Sequence, residues 1–188
     1  TLANGVRVVL KPTTFKQDEL LFRAFSPGGT SLVSDADYVP ATTAASVVAD
    51  GGLDSMNAST LRKTLTGVIA SATPSIGEYD ETLSGGASPR DLETLMQLIH
   101  LRFTAPRRDE EIFKVRRDQT RAALANQAAS PSFAFQSALA EALYANNLRR
   151  RPMTAATVDA MDLDKSLAFY KDRFADASDF TFVFVGTM

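Results

Sequence analysis

The chain has 188 residues, 45% of them hydrophobic and 22% charged, with a net charge of −2. That is enough apolar material for a sizeable core, and the interspersed charge lacks the basic footprint of a nucleic-acid binder. There are no cysteines, so disulfides and thiolate zinc sites are excluded, and no apolar run approaches the ~20 residues of a membrane span. The chain opens at Thr1 rather than Met, which reads as a cut N-terminus, so the lack of a signal peptide leaves the compartment open.

In chain order, "NGVRVVLKP" (4–12) and "ELLFRAFSPGG" (19–29) read as strands, the first entered by a turn dipeptide and the second closed by Pro27-Gly28-Gly29. The polar segment between them suggests an antiparallel hairpin. "DYVPATTAASVVADGG" (37–52) reads as a short helix with Pro40 in its first turn and Gly51-Gly52 at its end. A second short helix covers 58–66. "VIASATPSI" (68–76) and "EYDETLSGGA" (78–87) are two more strands split by Gly77, the latter with the polar alternation of a half-exposed edge strand.

Ser88-Pro89-x-Asp91 starts a helix with a cap, a first-turn proline and an acid. Leu92, Leu95, Met96, Ile99 and Phe103 follow at helical spacing, predicting a mostly buried helix. Asp109-Glu110-Glu111 opens the next, running to about Gln127, where three acids suit the macrodipole. Ser130-Pro131 starts a third through Phe135, Leu139 and Leu143. Asp162 caps a fourth with Leu163, Leu167, Tyr170 and Phe174 along one face. "DFTFVFVG" (179–186) is apolar on both faces and reads as a central strand. The order predicts an α+β domain over 1–188: a mainly antiparallel sheet with long helices on one face.

Candidate chemistry is sparse. The only histidine, His100, has no second histidine to share a metal and fits a helix C-terminal or rim position. Asp35 with Asp37, and Glu78 with Asp80 and Glu81, fit a solvated loop and an exposed strand better than a cation site. The glycine pairs 28–29, 51–52 and 85–86 form no phosphate-binding pattern and suit turns with positive φ. Arg149-Arg150-Arg151, the one basic run, suits a solvated loop or an interdomain contact. Asn57-Ala58-Ser59 matches a glycosylation acceptor by pattern only.

"LANGVRVVL", the strand ending in "SPGGTS", the small helix closed by Gly-Gly and "SGGASPRDLETLMQLIHLRFTAPRRDEEIF" together resemble a unit of the insulinase (pitrilysin) family of zinc peptidases. "LFRAFSPGGTSLVSD" and "DLDKSLAFYKDRFADASDFTFVFVG" resemble its bacterial zinc-protease branch. The resemblance implies the same α+β unit. Active units of the family carry H-x-x-E-H on the first small helix, two His gripping Zn²⁺ while the Glu activates water, with a third ligand, Glu, roughly 75 residues on. Here those positions fall on Thr42, Ala45 and Ser46, and the third-ligand window, about Phe113 to Gln127, holds no Glu. The resemblance therefore implies a non-catalytic unit, excised from a longer multi-domain chain, with no catalytic or metal residue of its own. It implies a parent zinc metalloendopeptidase, zinc in a homologous catalytic domain on which this one packs, a peptide substrate, and a periplasmic setting. No nucleic-acid or membrane partner is expected. The rival is a scaffold subunit of a wholly inactive homologue.

Overall fold

The computed structural model describes residues 1–145 and 147–187. Five strands form one sheet: β1 (Arg7–Pro12), β2 (Leu20–Pro27), β3 (Ala70–Ile76), β4 (Asp80–Ala87) and β5 (Thr181–Gly186), in the order β1-β5-β2-β4-β3. All neighbours are antiparallel except β1 with β5. The helices are α1 (Tyr38–Gly51), α2 (Ala58–Thr64), α3 (Leu92–Thr104), α4 (Glu110–Ala128), α5 (Pro131–Tyr144), α6 (Ala155–Asp159) and α7 (Leu163–Arg173). The expected α+β class and mainly antiparallel sheet are found.

Strand alternation sets the layering. Leu20, Phe22, Ala24 and Ser26 of β2 are buried, and the residues between them face out. Phe182 and Phe184 of β5 lie beside Phe22, with ring centroids 6.2 and 5.1 Å away. α1 packs along α7 and over β3, and α3 packs over β3 and β4. Phe103, Tyr170, Phe174 and Phe180 fill the space between layers. A smaller cluster joins Val39 and Val47 of α1 to Phe113 of α4, and to Val158, Met161 and Leu163 around the start of α7.

Four expectations are corrected. β1 and β2 form no hairpin, because β5 inserts between them and pairs with both. β4 is no edge strand: it lies between β2 and β3, and its polar alternation belongs to the sheet's uncovered face. Gly85 and Gly86 serve that interior place rather than a turn; a side chain on either would collide with the main chain of Ser71 or Leu20 on the flanking strands. α3 is buried at Leu95, Leu98, Ile99 and Arg102 but leaves Met96 43% exposed. α5 forms where expected, yet Phe135, Leu139 and Leu143 all stay exposed and none of its residues is buried.

Candidate functional site

The residues overlaid on the metal motif lie on α1. Thr42 and Ser46, four apart, share one helix face, exposed and half-buried respectively, while Ala45 is buried. Both hydroxyls turn back onto their own helix: Thr42 Oγ1 donates to the Val39 carbonyl at 2.8 Å and Ser46 Oγ to the Thr43 carbonyl at 2.8 Å. The next hydroxyl along ties α1 to α7. Thr43 Oγ1 meets Ser166 Oγ at 2.9 Å, both buried, and Ser166 donates to the Asp162 carbonyl at 2.6 Å. The helix α4, which spans the third-ligand window, turns Phe113 into the small core and pairs Arg116 with Asp50 at the end of α1. It thus offers α1 a cation rather than a carboxylate. Among the described residues no group of three or more His, Asp or Glu side chains comes together. Activating a water or a nucleophile needs a free base within hydrogen-bond reach, and every hydroxyl on this face has a main-chain partner.

The acidic and basic residues singled out from the sequence hold the turn that leads into α1. Gly29 sits at φ 70 in a short 3-10 turn, Gly29–Leu32. Arg149 reaches across from the other end of the chain. Its Nη1 donates to the Thr30 carbonyl at 2.9 Å, Nη2 to the Val33 carbonyl at 2.6 Å and Nε to Asp35 at 2.9 Å, while its guanidinium lies 4.8 Å from the centre of the Tyr38 ring. Arg150 pairs with Glu78 at 2.8 Å. Asp37 pairs with Lys165 on α7 at 2.7 Å, and that hydrogen bond holds its carboxyl below the usual value. Asp35 and Asp37 are therefore each engaged with a different cation, and Arg149 and Arg150 of the arginine run latch this turn within the domain, the planar fork of Arg149 filling main-chain acceptors. Replacing Arg149 with alanine should speed amide exchange of Thr30 to Asp37 by about tenfold or more while leaving β2 and β5 amides unchanged, because it removes three hydrogen bonds from one segment.

Sequence reasoning missed two buried charges, Glu81 and Arg102. Glu81, expected on an exposed strand, is wholly buried, accepting the Gly29 N–H at 3.1 Å and lying 2.7 Å from Arg173 Nε. That ion-pair contact is out of line for a hydrogen bond, and Glu81 Oε2 has no partner. Burial pushes its carboxyl above the ordinary value, with the Gly29 N–H and Arg173 pulling the other way. Arg102, 7% exposed, donates to the Ala72 carbonyl at 3.0 Å and the Val48 carbonyl at 3.2 Å, and burial lowers its pKa. Tyr170 donates to the Arg102 carbonyl at 3.1 Å. Burial of a charged side chain leaves no sign in the local pattern, so neither Glu81 nor Arg102 was legible, whereas Tyr170 was legible from its helical spacing. His100 is exposed on α3.

No family model matches the chain. The zinc protease PQQL-like protein of Arabidopsis thaliana is 26% identical to it over 193 residues, covering 100% of this chain and 17% of that protein. The periplasmic protease PqqL from Escherichia coli superposes with a TM-score of 0.82 at 23% identity, over 100% of this chain and 21% of that one. A peptidase M16 inactive domain from Pseudomonas fluorescens gives 0.77 at 16% identity, over 99% of this chain and 45% of that one. The chain spans about a fifth of the length of PqqL and its Arabidopsis relative. These similarities bear out the resemblance to insulinase/pitrilysin zinc-peptidase units: the fold agrees with the solved structures over essentially the whole chain, and the sequence with the plant relative.

Proposed function

We propose, from a chain with the architecture of an insulinase/pitrilysin-type peptidase unit, that residues 1–188 form a non-catalytic domain of a larger zinc metallopeptidase. It packs on a homologous zinc-bearing domain and helps to wall the chamber that receives the peptide. The observation carrying this reading is the α1 face, where Thr42, Ala45 and Ser46 stand in place of a motif and both hydroxyls are turned onto the helix backbone. α1 is then a packing element, joined to α7 through Thr43 and Ser166. Zinc belongs to the companion domain.

The sheet's uncovered face suits a wall. Val9, Leu21 and Phe25 are exposed there, and the polar Ser71, Thr73 and Ser84 continue the same face towards β3. A graded face of this kind meets an extended peptide without demanding one sequence. The strand over 80–87 is interior and supplies no edge for it. The periplasmic neighbour supports a periplasmic setting, and no described helix is long and apolar enough to cross a membrane.

Metal analysis is the direct test. The purified chain should hold well under one zinc per molecule after dialysis and cleave no peptide. Tight stoichiometric zinc, or hydrolysis abolished by a chelator, overturns the assignment. A scaffold in a wholly inactive parent is the rival, supported by fold likeness to a chain of Candida albicans complex III2 at a TM-score of 0.56. An H-x-x-E-H elsewhere in the parent polypeptide, with chelator-sensitive hydrolysis by it, separates the two.

A further inference from the structure

Four elements hold the wholly buried carboxyl of Glu81. Ser26 on β2 and Ile76 on β3 are its partners in the sheet, and neither carries a charge. Arg173 of α7 brings a guanidinium to it, with Asp172 3.7 Å from the far side of that group, and Asp80 is its neighbour on β4. Arg102, the buried charge of α3, is committed to the Ala72 and Val48 carbonyls. The fourth element is the turn Gly29–Leu32, with Gly28 at its start. The other acids around that turn are paired already: Asp35 with Arg149, Asp37 with Lys165 and Glu78 with Arg150.

The turn is seated directly on the carboxyl. Gly29 N–H donates to Glu81 Oε1 at 3.1 Å, and a side-chain carbon on Gly28 would collide with both carboxyl oxygens. Three main-chain bonds fasten the turn to the β3–β4 connection. Gly28 N–H donates to the Tyr79 carbonyl at 2.8 Å, Thr30 N–H to the Gly77 carbonyl at 2.9 Å and Ser31 N–H to the Glu78 carbonyl at 2.8 Å. Arg149 grips it from outside through the Thr30 and Val33 carbonyls.

This enclosure suits a neutral carboxyl better than a charged one. Glu81 Oε2 has no partner among the described residues, and Arg173 Nε, 2.7 Å from Oε1, is out of line for a hydrogen bond. Protonated, Glu81 leaves one hydroxyl unmet; ionised, it leaves half of a carboxylate without a donor in a place closed to water, which costs more. β2 and β3 cannot move aside without breaking the ladders on β4. The turn is the one wall held by a few bonds, so water reaches the carboxylate through it.

We propose that Glu81 is a proton-operated catch for the turn Gly29–Leu32: protonated, it lets the turn close over the carboxyl, and ionised, it opens the turn to water and loosens the entrance to α1. Because Arg149 holds Thr30 and Val33, the same motion releases Arg149. Burial raises the carboxyl above its ordinary value of 4.5, so the closed turn keeps the proton more tightly than the open one. Opening is therefore least below pH 4.5, grows as pH rises through the raised value and levels off above it. The proposal does not rest on the peptidase reading.

Amide exchange over residues 28–33 of the full-length protein between pH 4 and pH 8, divided by the intrinsic chemical rates, tests it. The corrected rate should rise about tenfold for every pH unit by which the folded-state carboxyl titrates above 4.5, a midpoint read from the carboxyl ¹³C signal of Glu81 in the same sample. At pH 8 these amides should exchange at least about 100-fold faster than those of β2, the mark of local opening. Glu81→Gln keeps an acceptor for Gly29 N–H without a charge, so its corrected rate should not change with pH, whereas Asp80→Asn should keep the rise. A Glu81→Gln protein that retains the rise overturns the proposal. So does turn exchange no faster than that of β2 at pH 8. Should Glu81→Gln fail to fold, the unaltered protein decides: a rise whose midpoint departs from the Glu81 titration overturns the proposal, and a shared midpoint upholds it.

Discussion

Replacing Glu81 with leucine should lower the unfolding free energy by about 3–5 kcal/mol, read as a fall in the urea midpoint at unchanged slope. Leucine leaves the Arg173 guanidinium without its counter-charge and the Gly29 N–H without an acceptor, in a place closed to water. The pair itself is not a large net stabiliser. Burial raises the Glu81 carboxyl against the pull of Arg173, so desolvation outweighs attraction. Combining Glu81→Leu with Arg173→Met should accordingly regain most of the loss. The pH dependence has a definite sign. Because the folded-state carboxyl titrates above its ordinary value of 4.5, its stabilising contribution is complete below 4.5 and shrinks as pH rises through the raised value. The gap between wild type and Glu81→Leu should be wider at pH 4 than at pH 8. A gap that widens towards pH 8 would show that the ion pair dominates instead.

Tyr170→Ala should cost about 3–5 kcal/mol, comparable with the largest core truncations. The ring is wholly buried and stacks on Phe174 at 4.3 Å with 8° between planes. Its hydroxyl donates to the Arg102 carbonyl, and Arg102 in turn donates to β3 and α1. One residue thereby joins α7 and α3 to the sheet. Tyr170→Phe keeps the stack and removes only the hydroxyl, so it should cost about 1 kcal/mol. Denaturation curves of the two variants separate packing from hydrogen bonding. Equal losses would place the energy in the hydroxyl.

Local chemistry was legible wherever it decided the outcome. Ser88 accepts the Asp91 N–H and Asp162 accepts the Lys165 N–H, so the caps written in the sequence became helix starts. Leu163, Leu167, Tyr170 and Phe174 are all buried, as their spacing predicts. What failed was long-range. No local pattern around residues 12–20 announces that a strand from residue 181 will part β1 from β2. The polar alternation of 80–87 is the same for an edge strand and for an interior strand with one wet face, and only the clash at Gly85 and Gly86 separates them. The motif positions were legible as a place, Thr42, Ala45 and Ser46 on α1. Their bonding back onto the helix was not, since a hydroxyl's partner depends on its rotamer.

β5 is the last of the five described strands in sequence and lies inside the sheet, between β1 and β2. A ribosome releasing this domain at about 5–20 residues per second holds back the keystone until the end. Before residues 181–186 emerge, β1 is without its one neighbour among the described strands and β2 lacks one flank, however well β2, β4 and β3 have already zipped together. Closure then depends on contacts more than 150 residues apart, such as Val9 with Val183, which slows the final step. Nascent chains stalled short of Thr181 should thus remain protease-sensitive at β1, and translation past that point commits the whole domain at once.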